Sequence, residues 1–231
     1  ITTVAGSGAF GYTGDGGAAT AASLTTPSCV AASPEGTLYF NDFYNHRVRR
    51  VDTTGIITTV AGSGPGGIDN GDFSGDGGQA TSARLFSPRD VAVDEIGNLY
   101  VADERNRRVR KISADGIIHT IAGTGQLGNS GDGGPALSAN LEDPQGVEVD
   151  GNGNVLVAAG RFPALIRLLS PEPLPMPAPS LTLATSELPA PRIGQPYFAG
   201  LLADGGQAFV YRWGVGGGLL PDGLSLDRIS G

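Results

Sequence analysis

One cysteine in 231 residues, Cys29, excludes an internal disulfide, and its apolar neighbours predict a small buried side chain rather than a reactive thiol. Two histidines, His46 and His119, stand far apart, so the chain offers no ligand-like pair for zinc, and no Gly-x-Ser-x-Gly elbow marks a serine nucleophile. Catalytic residues are therefore predicted to be none. No run of 18 apolar residues is present, so no membrane-spanning helix is expected. Basic residues number 15 against 23 acidic ones, a net charge of −8 that disfavours nucleic acid, whose phosphates are held by clustered Lys and Arg. Aromatics make up only 6%. What the chain has instead is 38 glycines and 16 prolines, the mark of many short strands and turns, with 39% hydrophobic residues to form a core.

Internal repetition dominates the first 170 residues. The segment ITTVAGSG at Ile1 recurs unchanged at Ile57 and as IHTIAGTG at Ile118, and GDGG recurs around Asp15, Asp76 and Asp132. The second spacer is five residues longer, with the extra length inside PGGIDNGDFS, and is expected to lie on the surface. Within the middle repeat, DVAVD, NLYVAD, RVRKI and GIIHTIAG alternate with turn sequences, which predicts a four-stranded antiparallel meander. Such a sheet cannot cover both of its faces alone, so copies must stack, and radial stacking of four-stranded blades gives a β-propeller.

The stretch PRDVAVDEIGNLYVADERNRRVRKI resembles the NHL repeat, in its Pro, its GNLYVAD and the spaced set Asp103, Asn106 and Arg108; the first repeat supplies Asp42, Asn45 and Arg47 at the same spacing. The VAGxG…GDGG spacer resembles that of bacterial extracellular NHL proteins. In the third repeat Ala159, Phe162 and Ala164 stand in the Asp, Asn and Arg places, and no fourth strand follows before the prolines. The resemblance implies an all-β chain. It comprises a partial NHL β-propeller of about three four-stranded blades at residues 1–169 (about 1–56, 57–117 and 118–169), a proline-rich linker at 170–180 and a truncated Ig-like β-sandwich at 181–231. The Ig-like resemblance rests on GQPY, YRW and LPDGLSLDRISG. Three blades do not close a ring, so the chain reads as a piece of a longer propeller, with Ile1 to Gly6 the outer strand of a preceding blade or, alternatively, of the last one.

In a meander the link between the second and third strands lies on the same face as the link into the next blade. That loop face is the expected binding surface, with Tyr44, His46, Asp76, Arg105 and Arg107 as candidates. The repeated aspartates Asp15, Asp76 and Asp132 read as N-caps of a short helical turn. The Asp–Asn–Arg sets read as a hydrogen-bond and ion-pair clamp, and arginines alternating along the third strands as partly solvated charge. Asp72, Ser74 and Asp76 copy the opening of a calcium loop, but its twelfth position is Ala83 rather than Glu. No cofactor is expected beyond that calcium alternative. The function implied is a non-catalytic extracellular or cell-surface scaffold for protein or carbohydrate. The alternative is a propeller-type metal-dependent lyase or hydrolase whose catalytic residues lie in further blades.

Overall fold

A computed structural model describes residues 1–160 and 164–170 and the backbone at 201–202 and 208–209. The chain divides into two compact units, Ile1–Glu172 and Pro173–Gly231. In the second unit the described residues are one antiparallel pair, Leu201–Leu202 with Ala208–Phe209. The expected linker at 170–180, Ser170 apart, and nearly all of the Ig-like segment lie outside the described residues.

The first unit is a stack of antiparallel meanders. The first sheet joins β1 (Val30–Ala32), β2 (Leu38–Asp42), β3 (Arg47–Val51) and β4 (Ile57–Ala61) in chain order. The second joins β5 (Pro88–Val93), β6 (Leu99–Asp103), β7 (Arg108–Ile112) and β8 (Ile118–Ala122) in the same way. The third has three strands, β9 (Pro144–Val149), β10 (Val155–Ala159) and β11 (Leu165–Leu169). These boundaries run offset from the repeats counted in the sequence: Ile57–Ala61 and Ile118–Ala122, each placed at the head of a repeat, close the sheet before them, because the tight turns at Asp52–Ile56 and Ser113–Ile117 fold them back onto β3 and β7.

The turns are local chemistry. Asp94 accepts from the backbone N–H groups of Ile96 (3.2 Å) and Asn98 (2.8 Å) while Gly97 takes a φ of +86°, which folds β5 back into β6. Gly62 and Gly123 are required by position: each has a φ of +96°, and a Cβ there would strike the carbonyl oxygen of His46 or Arg107.

The core lies between sheets. Val48 and Ala61 of the first blade meet Val91, Leu99 and Val101 of the second, and Ala80, Ala83 and Leu85 of the spacer close the same cluster. A second cluster repeats this between the second and third blades around Ala122, Leu141, Val147 and Val157. Asn41, fully buried, ties two blades directly by donating to the Pro88 and Arg89 carbonyls at 3.0 Å each. Cys29 is half-buried, and burial pushes its thiol up to about 12.

Candidate functional site

The loops between β2 and β3 and between β6 and β7 each contain one turn of 3-10 helix, Phe43–Asn45 and Glu104–Asn106. They meet the glycine-rich spacers on one face, as Asn45 donating to the Gly11 carbonyl (2.7 Å) and Asn106 to that of Asp72 (2.8 Å) demonstrate.

Beneath this face lies a repeated arginine clamp. The Arg49 side chain is fully buried and forks between Asp42 (3.0 Å) and Asp15 (2.8 Å), with a further bond to the Thr13 carbonyl. Arg110 forks in the same way between Asp103 (3.3 Å) and Asp76 (2.8 Å), and reaches the Ser74 carbonyl. A spacer aromatic covers each: Tyr12 lies over Arg47 and Arg49 at 3.9 and 4.9 Å, and Phe73 over Arg108 and Arg110 at 3.8 and 4.8 Å. A bulge between Val48 and Arg49, and between Val109 and Arg110, breaks the pairing with the fourth strand just where the forked arginine stands.

Several sequence-based expectations change here. Asp15, Asp76 and Asp132 are not N-caps; Ala18, Gln79 and Pro135 occupy those positions without side-chain caps, and the aspartates turn instead to Arg49, Arg110 and Arg167. A buried guanidinium attracts a carboxylate more strongly than the few open N–H groups of a one-turn helix. Asp42 and Asp103 do bond Asn45 (2.7 Å) and Asn106 (2.8 Å), but their ionic partners are Arg49 and Arg110. Arg47 and Arg108 reach backbone carbonyls instead, Arg47 those of Asn45 and Gly64, Arg108 those of Asn106 and Thr124. The calcium alternative loses its geometry, since Asp72 faces Arg84 (3.7 Å) while Asp76 faces Arg110.

In the third blade, pairing sets Leu165 opposite Ala159, as Arg108 stands opposite Asp103, so the place first given to Ala164 belongs to Leu165. The loop there is one residue longer. Arg167, opposite Val157, is the counterpart of Arg110 and still holds Asp132 at 2.6 Å, with neither a buried acid nor a covering aromatic among the described residues. Phe162 lies outside the described residues.

Among the binding candidates, His46 is buried, closed over by the long second spacer. Its Nδ1 accepts from the Ser87 N–H (3.0 Å), so Nε2 carries the hydrogen donated to the Gly67 carbonyl (2.7 Å). The spacer expected to lie on the surface is docked there onto Tyr44 and His46, with the Gly67 N–H bonded to the Tyr44 carbonyl at 2.7 Å. Tyr44 is half-buried, as is Arg107 in a left-handed conformation at φ +53°; Asp76 serves the clamp. Arg105 is exposed, paired with Asp69 at 2.9 Å and packed over Phe86.

Burial and the nearby Arg47, Arg105 and Arg84 charges lower the His46 pKa. The unfolded chain therefore takes up a proton at His46 at a pH where the folded one does not, and stability falls as pH drops from about 6.5 toward the lower folded value. Burial raises Asp42, and raises Asp103 to about 6, against the donors that ring them. Their linkage has the opposite sign, so the histidine is isolated by comparison: we expect the stability advantage of wild type over His46→Gln, measured by urea denaturation, to shrink between pH 7.5 and pH 5.5 (roughly a unit either side of the free histidine value). An advantage independent of pH would contradict the buried neutral imidazole. At Asp15 partial burial works upward, but the Thr59 hydroxyl, the Arg49 charge and Tyr12 hold the carboxyl below its ordinary value.

Sequence reasoning missed Arg49, Arg110, Tyr12 and Phe73. The available signal was their regularity: Tyr12–Asp15 and Phe73–Asp76 share one spacing, as do Asp42–Arg49 and Asp103–Arg110. It missed as well that the spacers carry large exposed apolar side chains, Phe10 (85%), Ile68 (55%) and Leu127 (61%).

The family described as Teneurin NHL domain matches residues 9–69 and 65–130, together more than half of the chain. Mouse Teneurin-1 is 34% identical over 156 residues, 64% of this chain and 6% of that protein. Human Teneurin-4 is 42% identical over 100 residues, 39% of this chain and 4% of that protein. The Arabidopsis thaliana chloroplastic protein SUPPRESSOR OF QUENCHING 1 is 34% identical over 90 residues, 38% of this chain and 8% of that protein. The chain thus spans less than a tenth of the length of these relatives. Among solved structures, an auxiliary nutrient binding protein from Bacteroides ovatus aligns with a TM-score of 0.52 at 19% identity, over 65% of this chain and 39% of that one, a likeness of fold.

Proposed function

This chain belongs to the teneurin NHL domain family, and from that premise we propose that it is a non-catalytic binding scaffold that recognises protein or carbohydrate through its loop face. The observation that carries the reading is the arginine clamp. The buried acids Asp42 and Asp103 are paired with Arg49 and Arg110, and His46 is bonded to the backbone of Ser87 and Gly67, so these groups hold the loops. What the fixed loops present is different: apolar tips at Phe10, Ile68 and Leu127 and the exposed guanidinium of Arg105. Apolar and arginine side chains on rigid supports are suited to recognition, because little entropy is lost on binding. The reading places the chain outside a bacterial cell or on its surface, on the resemblance of its spacers to bacterial extracellular NHL proteins. Among the described residues no helix is long and apolar enough to cross a membrane.

The test is capture of glycans and extracellular proteins on an array. Arg105→Glu and Phe10→Ser are each expected to weaken capture about tenfold, a loss of about 1.4 kcal/mol, at unchanged melting temperature. If melting falls while capture stays constant, the loop face is architecture and the reading fails.

A further inference from the structure

Residues 65–72 carry the extra length of the second spacer, and all of them are exposed except the half-buried Gly67 and Gly71. Ile68 is 55% exposed, so the segment brings no apolar anchor to the face beneath it. What holds it is a row of side-chain donors reaching its backbone carbonyls: His46 Nε2 to Gly67 (2.7 Å), Arg105 to Ile68 (3.1 Å) and Arg84 to Asn70 (3.2 Å). The Gly67 N–H adds its bond to the Tyr44 carbonyl (2.7 Å). The ion pairs alongside, Arg105 with Asp69 and Arg84 with Asp72, use carboxylates that are 84% and 65% exposed, and such pairs contribute little. A segment fastened by a few polar bonds and no buried side chain belongs to the parts of a fold that open first.

Among these fastenings His46 is the group that titrates near neutrality. The residue is 1% exposed, and its ring lies edge-on to Phe86 at 5.4 Å. Arg47 beside it, Arg84 of the spacer and Arg105 of the neighbouring loop direct positive charge at it, while the acids of the segment, Asp69 and Asp72, face Arg105 and Arg84. Tyr44 and Ser87, also packed around it, are uncharged. Both ring nitrogens are committed, since Nδ1 accepts from the Ser87 N–H at 3.0 Å. A proton on Nδ1 would set donor against donor there and place a fourth positive charge among three guanidiniums. Burial and those charges hold the imidazole below the ordinary histidine range, against the Gly67 carbonyl, which favours the proton. Once the segment lifts, the ring meets water and regains its ordinary affinity. Closure is therefore fully favoured above about pH 6.5 and is lost progressively below it.

The insertion and the histidine occur together. In the second blade Arg107 stands in the place of His46, at a φ of +53° against +56°, and the third spacer lacks the five extra residues.

We propose that residues 65–72 are an acid-released strap: a solvent proton taken up at Nδ1 of His46 breaks the bond to Ser87 and lifts the strap from the loop face, freeing Arg105 from Asp69 and uncovering Tyr44. This is a property of the chain by itself and stands apart from the binding function above.

Hydrogen exchange of the 231-residue chain, followed amide by amide and corrected for the pH dependence of the exchange chemistry, tests it. Between about pH 7.5 and about pH 5 the protection of the Gly67 and Ser87 N–H groups should fall about tenfold, with the slope of a single proton. The Gly16 and Gly77 N–H groups, bonded to the Ile57 and Ile118 carbonyls in the other spacer segments, should keep their protection. His46→Gln, which cannot take up the proton, should abolish the fall. Asp69→Asn combined with Asp72→Asn should preserve it, because the exposed acids are not the trigger. Protection at Gly67 and Ser87 that is indifferent to pH overturns the strap. So does a fall that persists in His46→Gln, disappears when the two acids are neutralised, or extends equally to Gly16 and Gly77.

Discussion

Replacement of Arg110 by alanine should destabilise the propeller unit by about 3–5 kcal/mol, the usual cost of leaving one member of a buried ion pair without its partner. Asp103 is fully buried, and its remaining donors are the Phe86 N–H and Asn106, both neutral. Phe73 would lose the charge beneath its ring. For a unit of this size the loss corresponds to a melting temperature lower by about 10 °C. The third blade supplies the control: among the described residues the acid that Arg167 meets is Asp132, whose side chain is 79% exposed, its other partners being the Asn140 and Ser130 carbonyls, and Arg167→Ala should cost about 1 kcal/mol or less. Replacing the pair together, Arg110→Met with Asp103→Asn, should recover part of the loss, because no buried charge is then orphaned and a side-chain oxygen still accepts from the Phe86 N–H. Equal effects at Arg110 and Arg167 would contradict the account of the clamp.

Leu85→Ala is expected to cost about 2–5 kcal/mol, through lost apolar contact and the cavity left behind. Leu85 is fully exposed to no solvent at all and sits at the junction of two blades, beside Ala83 and Val101. Leu141, its counterpart between the second and third blades, should behave alike at 1% exposure. Leu24 occupies the same repeat position but is half-buried, with its outer side in a groove shared with Val4, Val30 and Phe40. Leu24→Ala should therefore cost clearly less when urea denaturation is measured on the three variants side by side. Three equal losses would mean that the core is not located between blades.

Much of this architecture is legible without coordinates because it is local or periodic. The alternation in NLYVAD, the Asp-x-x-Gly turns and the recurrence of ITTVAG predict strands, hairpins and stacked meanders directly. The candidate site was less accessible. His46 read as a loop residue available for binding, and nothing near it in the chain announces that Gly67 will close over it. The Asp–Asn–Arg spacing named Arg47 and Arg108, where Arg49 and Arg110 carry the ion pairs.

The division follows from distance along the chain. Side-chain period, turn residues and repeat length act over a few positions, so sequence alone determined the strands, their order within a blade and the all-β propeller class. The partner of a buried charge is chosen across some 34 residues, as between Arg49 and Asp15, once a bulge has broken the strand pairing at the arginine and sheet stacking has removed water. Only the tertiary structure decided which acids hold which arginines and which loop tips stay exposed.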